Sequence, residues 1–268
     1  MAPVASALLR SRLMFDLFKN HRRAELRKQG LAESERAIVS RHVPELARLD
    51  AAERGELEGL VRVFLAEKSF EGCGGLELTE EIQVTIAAEA CLLLLHRDND
   101  MYPGVDVILV YPAAYWVESK THDGAVVIEG PEARLGESWA RGLVVLAWDH
   151  VSSRLMRAGG HNVVLHEFAH QLDGENGSMD GTPPLTTGAR YSSWGRVLGQ
   201  EFTELSERLH AGKPNDIDAY GATNPAEFFA VVTEMFFERA AAMKARHPEL
   251  YAELAAFYHQ DPAARETG

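Results

Sequence analysis

Residues 163–174 read VVLHEFAHQLDG, and this stretch predicts both a central helix of the fold and the chemistry of the chain. His166 and His170 are four residues apart, so their rings share one face if the segment is a helix. Two imidazoles placed in this way can bind one metal ion, and Glu167 lies about 100° round the helix, within reach of a water on that ion. The apolar flanks predict a buried helix, in which ionisable side chains need a partner or a metal.

A zinc centre of this kind needs a third protein ligand and keeps its fourth position for water, whose pKa then falls toward neutrality. Asp173 is one candidate for that ligand, because it follows His170 by three residues. It also stands directly before Gly174, where the helix should end, so a capping or supporting role is the alternative.

Glu227 is the stronger candidate, in the stretch AYGATNPAEFFAVVTEMFFE over 219–238. Asn224 as N-cap and Pro225 at the first helical position predict the start of a helix. Glu227 then occupies the third position, which is also that of a capping-box glutamate, and helix geometry alone does not decide between cap and ligand. The apolar run that follows places this helix in the core, where it can pack against the motif helix and bring a carboxylate to it.

Composition and charge argue against several classes of function. The chain is 46% hydrophobic and 25% charged, as in ordinary globular proteins, and its net charge of −13 disfavours direct binding to nucleic acid. No apolar stretch approaches the length of a membrane span. Cys73 and Cys91 have neither metal-type spacing nor the number expected of a disulfide framework, which predicts a cytoplasmic protein.

The order of predicted elements favours an α+β fold. Helical periodicity runs from about Ser34 to His96, with an N-cap at Thr79. Short β-branched runs then predict strands over 105–112, 124–130 and 142–148. After the motif helix comes a Gly- and Pro-rich loop over 174–188, long enough for a lid or a binding loop, and three more helices. These helices are predicted over 192–210, 225–243 and 248–259.

The chain is predicted to form one catalytic domain over 31–268, with a helical part over 31–98 and a catalytic part over 99–268. Residues 1–30 carry seven Lys/Arg against two acids and form a basic arm that is expected to be disordered. Alternatively, Met14 is the true start of the protein and the residues before it are an extension. A solvated amphipathic end is the simplest interpretation of this arm, and contact with an acidic partner or a membrane surface is the alternative.

Four stretches occur together in this chain: NVVLHEFAHQLDG, AYGATNPAEFFAVVTEMFFE, FLAEKSFEG and VILVYP. In combination they resemble the Mlc titration factor A family of bacterial zinc metallopeptidases, and the resemblance extends from about Met14 to Pro262. That family is similar in turn to the catalytic domain of anthrax lethal factor, whose third zinc ligand begins a Glu-Phe-Phe-Ala run, matched here by Glu227. The resemblance implies a zincin-like domain with a small mixed sheet packed on the HExxH helix and a second, glutamate-bearing helix.

The resemblance also implies roles for individual residues. His166, His170 and Glu227 would bind one Zn²⁺ in a gluzincin-type site, and Glu167 would act as general base and then as general acid. Tyr220, in a tyrosine–glycine pair shared with that comparison, would stabilise the oxyanion. Lethal factor has a second acid one turn after its ligand, where this chain has Val231. The group that orients the histidines is therefore left open, and its candidates are Asp173, Glu234 and His161.

The expected activity is hydrolysis of peptide bonds, aminopeptidase-like and directed at short peptides. The resemblance further implies a link to sugar uptake through a glucose-responsive transcriptional repressor. An alternative is a regulatory protein that sequesters this repressor and in which hydrolysis is secondary, with the basic arm or the segment 34–70 as its contact region. A zinc hydrolase that acts on a non-peptide amide or ester is a third interpretation.

Overall fold

A computed structural model describes residues 17–98, 100–113, 142–153 and 159–266. The helices are α1 (17–29), α2 (Glu33–His42), α3 (Ala51–Glu67), α4 (Glu80–Leu92), α5 (Trp148–Ser152), α6 (Val163–Asp173), α7 (Gly188–His210), α8 (Pro225–Glu238), α9 (Ala240–Arg246), α10 (Pro248–Tyr258) and α11 (Pro262–Glu266). Short 3₁₀ turns occupy Pro44–Arg48, Gly174–Asn176 and Ala219–Ala222. No helix among the described residues is long and apolar enough to cross a membrane.

The sheet has three described strands, β1 (Ser69–Gly72), β2 (Val107–Tyr111) and β3 (Leu143–Ala147), in the order β1–β2–β3. Both pairings are parallel, with Val107 opposite Ser69 on one side and Leu143 on the other. Alternate residues of β2 and β3 are buried, as expected of strands covered on one face. The sheet is thus small, as predicted, but its described part is parallel rather than mixed, and the strand predicted over 124–130 lies outside the described residues.

The strand β1 corrects the prediction of helix between Ser34 and His96. Its residues have no marked strand pattern of their own, and they are extended because their backbone pairs with β2. The N–H of Ser69 donates to Asp106 O at 3.0 Å, and the N–H of Cys73 donates to Val110 O at 2.8 Å. The α4 helix, with its predicted cap at Thr79, connects these two parallel strands.

Residues 17–29, the described part of the predicted basic arm, form the α1 helix. Its Arg23 is buried and lies 2.6 Å from a carboxylate oxygen of Glu67 at the end of α3 and 2.7 Å from one of Asp100. This two-carboxylate contact fixes α1 to the domain, so this part of the arm is packed structure. Residues 1–16 lie outside the described part of the chain.

The α6 and α8 helices form the centre of the domain. Almost every residue of both is buried, and aromatic contacts surround them, such as Tyr102–Phe168 at 4.7 Å and Trp194–Phe229 at 5.6 Å between ring centroids. The helix predicted over 225–243 is interrupted at Arg239, whose backbone leaves the helical region and separates α8 from α9. The first of these two helices carries Glu227.

The loop over 174–187 connects α6 to α7 and also contacts the start of α8. The Oδ2 atom of Asp173, in the last turn of α6, accepts a hydrogen bond from Gly181 N at 2.8 Å. The carbonyl of Gly181 accepts one from Trp194 Nε1 of α7 at 2.9 Å, and the Gly181 backbone packs against the carbonyl of Pro225 at the start of α8. The loop is therefore anchored at its middle, close to the helix that carries Glu227.

Gly181→Ala tests this packing. Gly181 has φ +77°, and an added Cβ would lie 2.3 Å from the Pro225 carbonyl oxygen, so we expect a loss of more than about 2 kcal/mol in the free energy of unfolding. Gly177→Ala is the matched control, since Gly177 has φ +89° in the same loop but no atom within 4 Å of an added Cβ. Urea unfolding of both variants is the measurement, and equal losses would show that the contact with Pro225 contributes nothing.

Candidate metal centre

Asn162 fixes the start of the motif helix and thus the positions of its histidines. Its Oδ1 atom accepts hydrogen bonds from Val164 N and Leu165 N, both at 3.1 Å, as an N-cap residue does. One turn apart on the helix that follows, His166 and His170 have ring centroids 4.9 Å apart, and their Nε2 atoms are separated by 3.2 Å. The predicted sharing of one helix face is confirmed.

The second helix brings a carboxylate to these rings. Asn224 caps α8 as predicted, and its Oδ1 atom accepts from Glu227 N at 3.0 Å. The Glu227 side chain extends toward α6, where Oε2 lies 3.0 Å from His166 Nε2 and 3.3 Å from His170 Nε2. Helix geometry left open whether Glu227 acts as a cap or as a ligand. In the structure its carboxylate is directed at the imidazoles.

The chemistry of these three groups fits a bound cation. One ligand atom from each of His166, His170 and Glu227 lies within 4.8 Å of the other two. His166 Nδ1 is 2.7 Å from Glu234 Oε1, and because a carboxylate only accepts, this nitrogen carries the ring hydrogen. The Nε2 atom of a neutral His166 then presents a lone pair to the lone pairs of Glu227. A metal ion among the three atoms satisfies all of them, so the residues present can hold one.

The protonation states agree with this fit. Burial works against a charged His166, but hydrogen bonds to Glu227 and Glu234 outweigh it and raise the pKa of His166 well above its ordinary value. Burial and the neighbouring His166 lower the pKa of His170 to about 4. Burial opposes charge on Glu227 as well, yet the two imidazoles bring its pKa to about 2. At neutral pH the proton on His166 is therefore the one that a metal has to displace.

The two predicted catalytic residues lie next to this cluster. Glu167 is 4% exposed on α6, and its charge helps to raise the pKa of His166. The ring of Tyr220, in the Ala219–Ala222 turn, lies 6.0 Å from the ring of His166 and is tilted by 45°. Asp218 holds this turn by accepting from Tyr220 N at 2.7 Å. The structure thus brings both residues to the site, and their catalytic roles remain predictions.

Of the three groups considered for orienting the histidines, Glu234 contacts a candidate ligand. Asp173 binds Gly181 N instead, and His161 lies 3.6 Å from Asp218. The sequence did not predict a role for Asn162 in the site. Its backbone N–H donates to Glu234 Oε2 at 2.5 Å and so joins the start of α6 to α8. An asparagine directly before a helix is a recognisable N-cap, and that signal would have identified it.

Known proteins resemble this chain over most of its length. The chain matches the family described as Glucose-regulated metallo-peptidase M90 over residues 18–259. The chain belongs to this family. An uncharacterized protein of Synechocystis sp. is 44% identical over 229 residues, which cover 84% of this chain and 83% of that protein. Mlc titration factor A of Klebsiella pneumoniae and that of Serratia proteamaculans are each 34% identical, covering 83% of this chain and 85% and 86% of their own lengths.

The family resemblance expected from the sequence is thereby confirmed, and with it the class of metallopeptidase. The similarity to lethal factor stays a prediction. For this metallopeptidase the cluster of His166, His170 and Glu227 is the candidate metal site, and it lies within the matched residues.

Glu227→Ala is expected to abolish tight metal binding, because it removes one of the three donors. Its loss of metal affinity should exceed the roughly 10–100-fold that removal of a supporting group costs. Glu207→Ala is the control, since Glu207 is an exposed glutamate on α7, away from the start of the motif helix. Metal content and competition with a chelator are measured for both, and full affinity in the Glu227 variant would disprove its role as a ligand.

Glu234→Gln tests the support of His166. The amide keeps an acceptor for Asn162 N but lacks the charge that holds the His166 Nδ1 hydrogen, so we expect metal affinity to fall by about 10-fold. Chelator competition measures the affinity, and thermal unfolding of the metal-free protein shows whether the fold is intact. An unchanged affinity would mean that the contact with Glu234 does not orient the ring for metal binding.

Proposed function

We propose that this metallopeptidase is a gluzincin-type zinc enzyme, in which His166, His170 and Glu227 bind one Zn²⁺. The observation that carries the proposal is the convergence of these three donors between two buried helices. When bound, zinc would polarise the carbonyl of the scissile bond and activate water for the attack.

The protein's own residues would move the proton and hold the substrate. Glu167 takes a proton from the attacking water and returns it to the leaving amine, and its burial keeps bulk water from competing for that proton. Tyr220 donates a hydrogen bond to the carbonyl oxygen as negative charge develops there. Glu234 keeps the His166 ring in the orientation in which Nε2 faces Glu227.

The substrate class that we propose is short peptides, cleaved in an aminopeptidase-like manner. The support is the family resemblance, together with the metallopeptidase class of the family. A panel of aminoacyl amides, internally quenched peptides and matched esters separates this proposal from an endopeptidase and from a hydrolase of non-peptide bonds.

Glu167→Gln is the test of the mechanism. The variant keeps the metal donors but cannot accept the proton, so we expect kcat to fall by about 10²–10⁴-fold at unchanged metal content. Glu175→Gln is the control, because Glu175 is an exposed glutamate in the turn directly after α6. Activity near that of the wild type in the Glu167 variant, measured with the metal bound, would remove this residue from the mechanism.

A second proposal, that the chain sequesters a transcriptional repressor, is favoured by the relatives called Mlc titration factor A. A groove of about 350 Å³ lies in the segment expected to make this contact, between α2, the Pro44–Arg48 turn and α3. Its apolar lining comes from Leu31, Val39, Leu46, Ala47, Leu57, Val61 and Ala88. If the Glu167→Gln protein still relieves repression in cells while hydrolysis is absent, the regulatory role does not depend on the peptidase reaction.

A further inference from the structure

The segment over 211–224 connects α7 to α8 and carries Tyr220. Ile217 anchors it in the core, since this side chain is 4% exposed. Asp218 caps the turn that follows by accepting a hydrogen bond from Tyr220 N. Next to Ile217 on its other side, Asp216 offers a carboxylate to a different part of the fold. The contacts of this carboxylate therefore help to set where Tyr220 lies.

Two basic side chains at the junction of α9 and α10 bind Asp216. Arg246 Nη1 lies 3.1 Å from its Oδ2 atom, and His247 Nε2 lies 3.2 Å from its Oδ1 atom. Burial opposes charge on Asp216, but the hydrogen bonds from Arg246 and His247 outweigh it and lower the pKa of this carboxyl group. Asp216 is thus charged at neutral pH and tied to both neighbours.

The other nitrogen of His247 reaches a second carboxylate. His247 Nδ1 lies 2.8 Å from Oε2 of Glu201 on α7. Because carboxylate oxygens only accept, both contacts are complete only when both ring nitrogens carry hydrogen. The hydrogen bond to Glu201 is accordingly the largest cause of the raised pKa of His247, against the opposing effect of burial. In this charged form the ring joins α7 to the segment that carries Tyr220.

The charged groups around His247 come from three parts of the fold. They are Glu201, Glu204 and Arg208 of α7, Asp216 of the connecting segment and Arg246 of α9. The two guanidinium groups contact other oxygens, since Arg208 donates to Pro214 O at 2.6 Å and Arg246 contacts the far oxygen of Asp216. Both groups in hydrogen-bond contact with the ring are therefore acids.

We propose that His247 is a positioning residue, which acts through Asp216 to hold Tyr220 beside the metal centre. A neutral imidazole has a single N–H, so loss of the ring's charge leaves one of its two carboxylates facing a lone pair and weakens the bridge from α7 to Asp216. The catalytic consequence rests on the function proposed above, in which Tyr220 stabilises the oxyanion.

The bridge should respond to pH. Because its contacts raise the pKa of His247 above the ordinary value of about 6.5, the bridge is complete below that value and is lost as pH rises through the raised pKa. The lowered pKa of Asp216 keeps this carboxylate charged throughout that range.

Amide hydrogen exchange of the full-length, zinc-loaded protein tests the placement of the segment without reference to activity. In His247→Gln the uncharged amide can donate to only one of the carboxylates, so we expect protection factors over 216–223 to fall by about 10-fold. His96→Gln is the matched control, because the nitrogens of His96 also lie 3.2 and 3.0 Å from two carboxylates, which belong to α3.

The pH dependence of the same protection factors provides a second measurement. In the wild type they should fall as pH rises through the raised pKa of His247, and this step should be absent from His247→Gln. Glu201→Gln removes the largest cause of the raised pKa, so the step should move to lower pH. If His247→Gln does not fold, the step in the wild type and its shift in Glu201→Gln decide.

A double-mutant cycle with Tyr220→Phe connects the segment to the reaction. We expect His247→Gln to lower kcat by about 10-fold at equal zinc content and similar KM, because a misplaced donor stabilises the oxyanion less well. If His247 acts through Tyr220, the same change should add little to the loss already present in Tyr220→Phe.

Three results would overturn the proposal. One is unchanged protection over 216–223 in both His247→Gln and Glu201→Gln. Another is an equal loss of protection there in His96→Gln, which would show general destabilisation. The third is a full multiplication of the two kcat losses in the double variant, which would show that His247 acts independently of Tyr220. If Tyr220→Phe alone keeps the kcat of the wild type, the proposed oxyanion role is wrong, whereas a local loss of protection still supports the placement by His247.

Discussion

The structure depends on the placement of two imidazoles and one carboxylate in the same buried space between α6 and α8. Lone pairs of His166, His170 and Glu227 face one another within 4.8 Å, an arrangement that is unfavourable in a core unless a cation lies among them. In the metal-free protein that cation is a proton, which explains why the pKa of His166 is raised while burial lowers that of His170. Metal binding and protonation therefore compete at this site.

Contacts at both ends of α6 hold it against α8 and so maintain this placement. At its start, Asn162 caps the helix and also donates to Glu234 and Glu238 in the second half of α8. At its end, Asp173 binds Gly181, which packs against Pro225 at the start of α8. The two helices consequently run in opposite directions, and Glu227 comes opposite the histidines. Polar contacts thus set the relative position of two helices whose apolar faces alone would permit sliding.

The candidate site could be predicted from the sequence because it depends on local features. Features that depend on tertiary contacts could not be predicted in this way. The spacing of His166 and His170 indicates a shared helix face. The pair Asn224–Pro225 indicates a helix start, which places Glu227 in the first turn. Both are properties of neighbouring residues. The strand β1 exists because β2 pairs with it, and the choice of Glu234 over Asp173 depends on the approach of α8 to α6. The helix break at Arg239 occurs without a glycine or proline to mark it. None of these follows from residues adjacent in the chain.

The two nitrogens of His166 contact two carboxylates of α8 that have different roles. On the Nε2 side, Glu227 makes the surroundings anionic and suited to a cation. On the Nδ1 side, Glu234 accepts the ring hydrogen and so leaves the lone pair of Nε2 directed at Glu227. One carboxylate therefore shares the site of a cation with the ring, and the other fixes the orientation of that ring. This division explains why the second half of α8 matters to the metal site although only its first turn carries a candidate ligand.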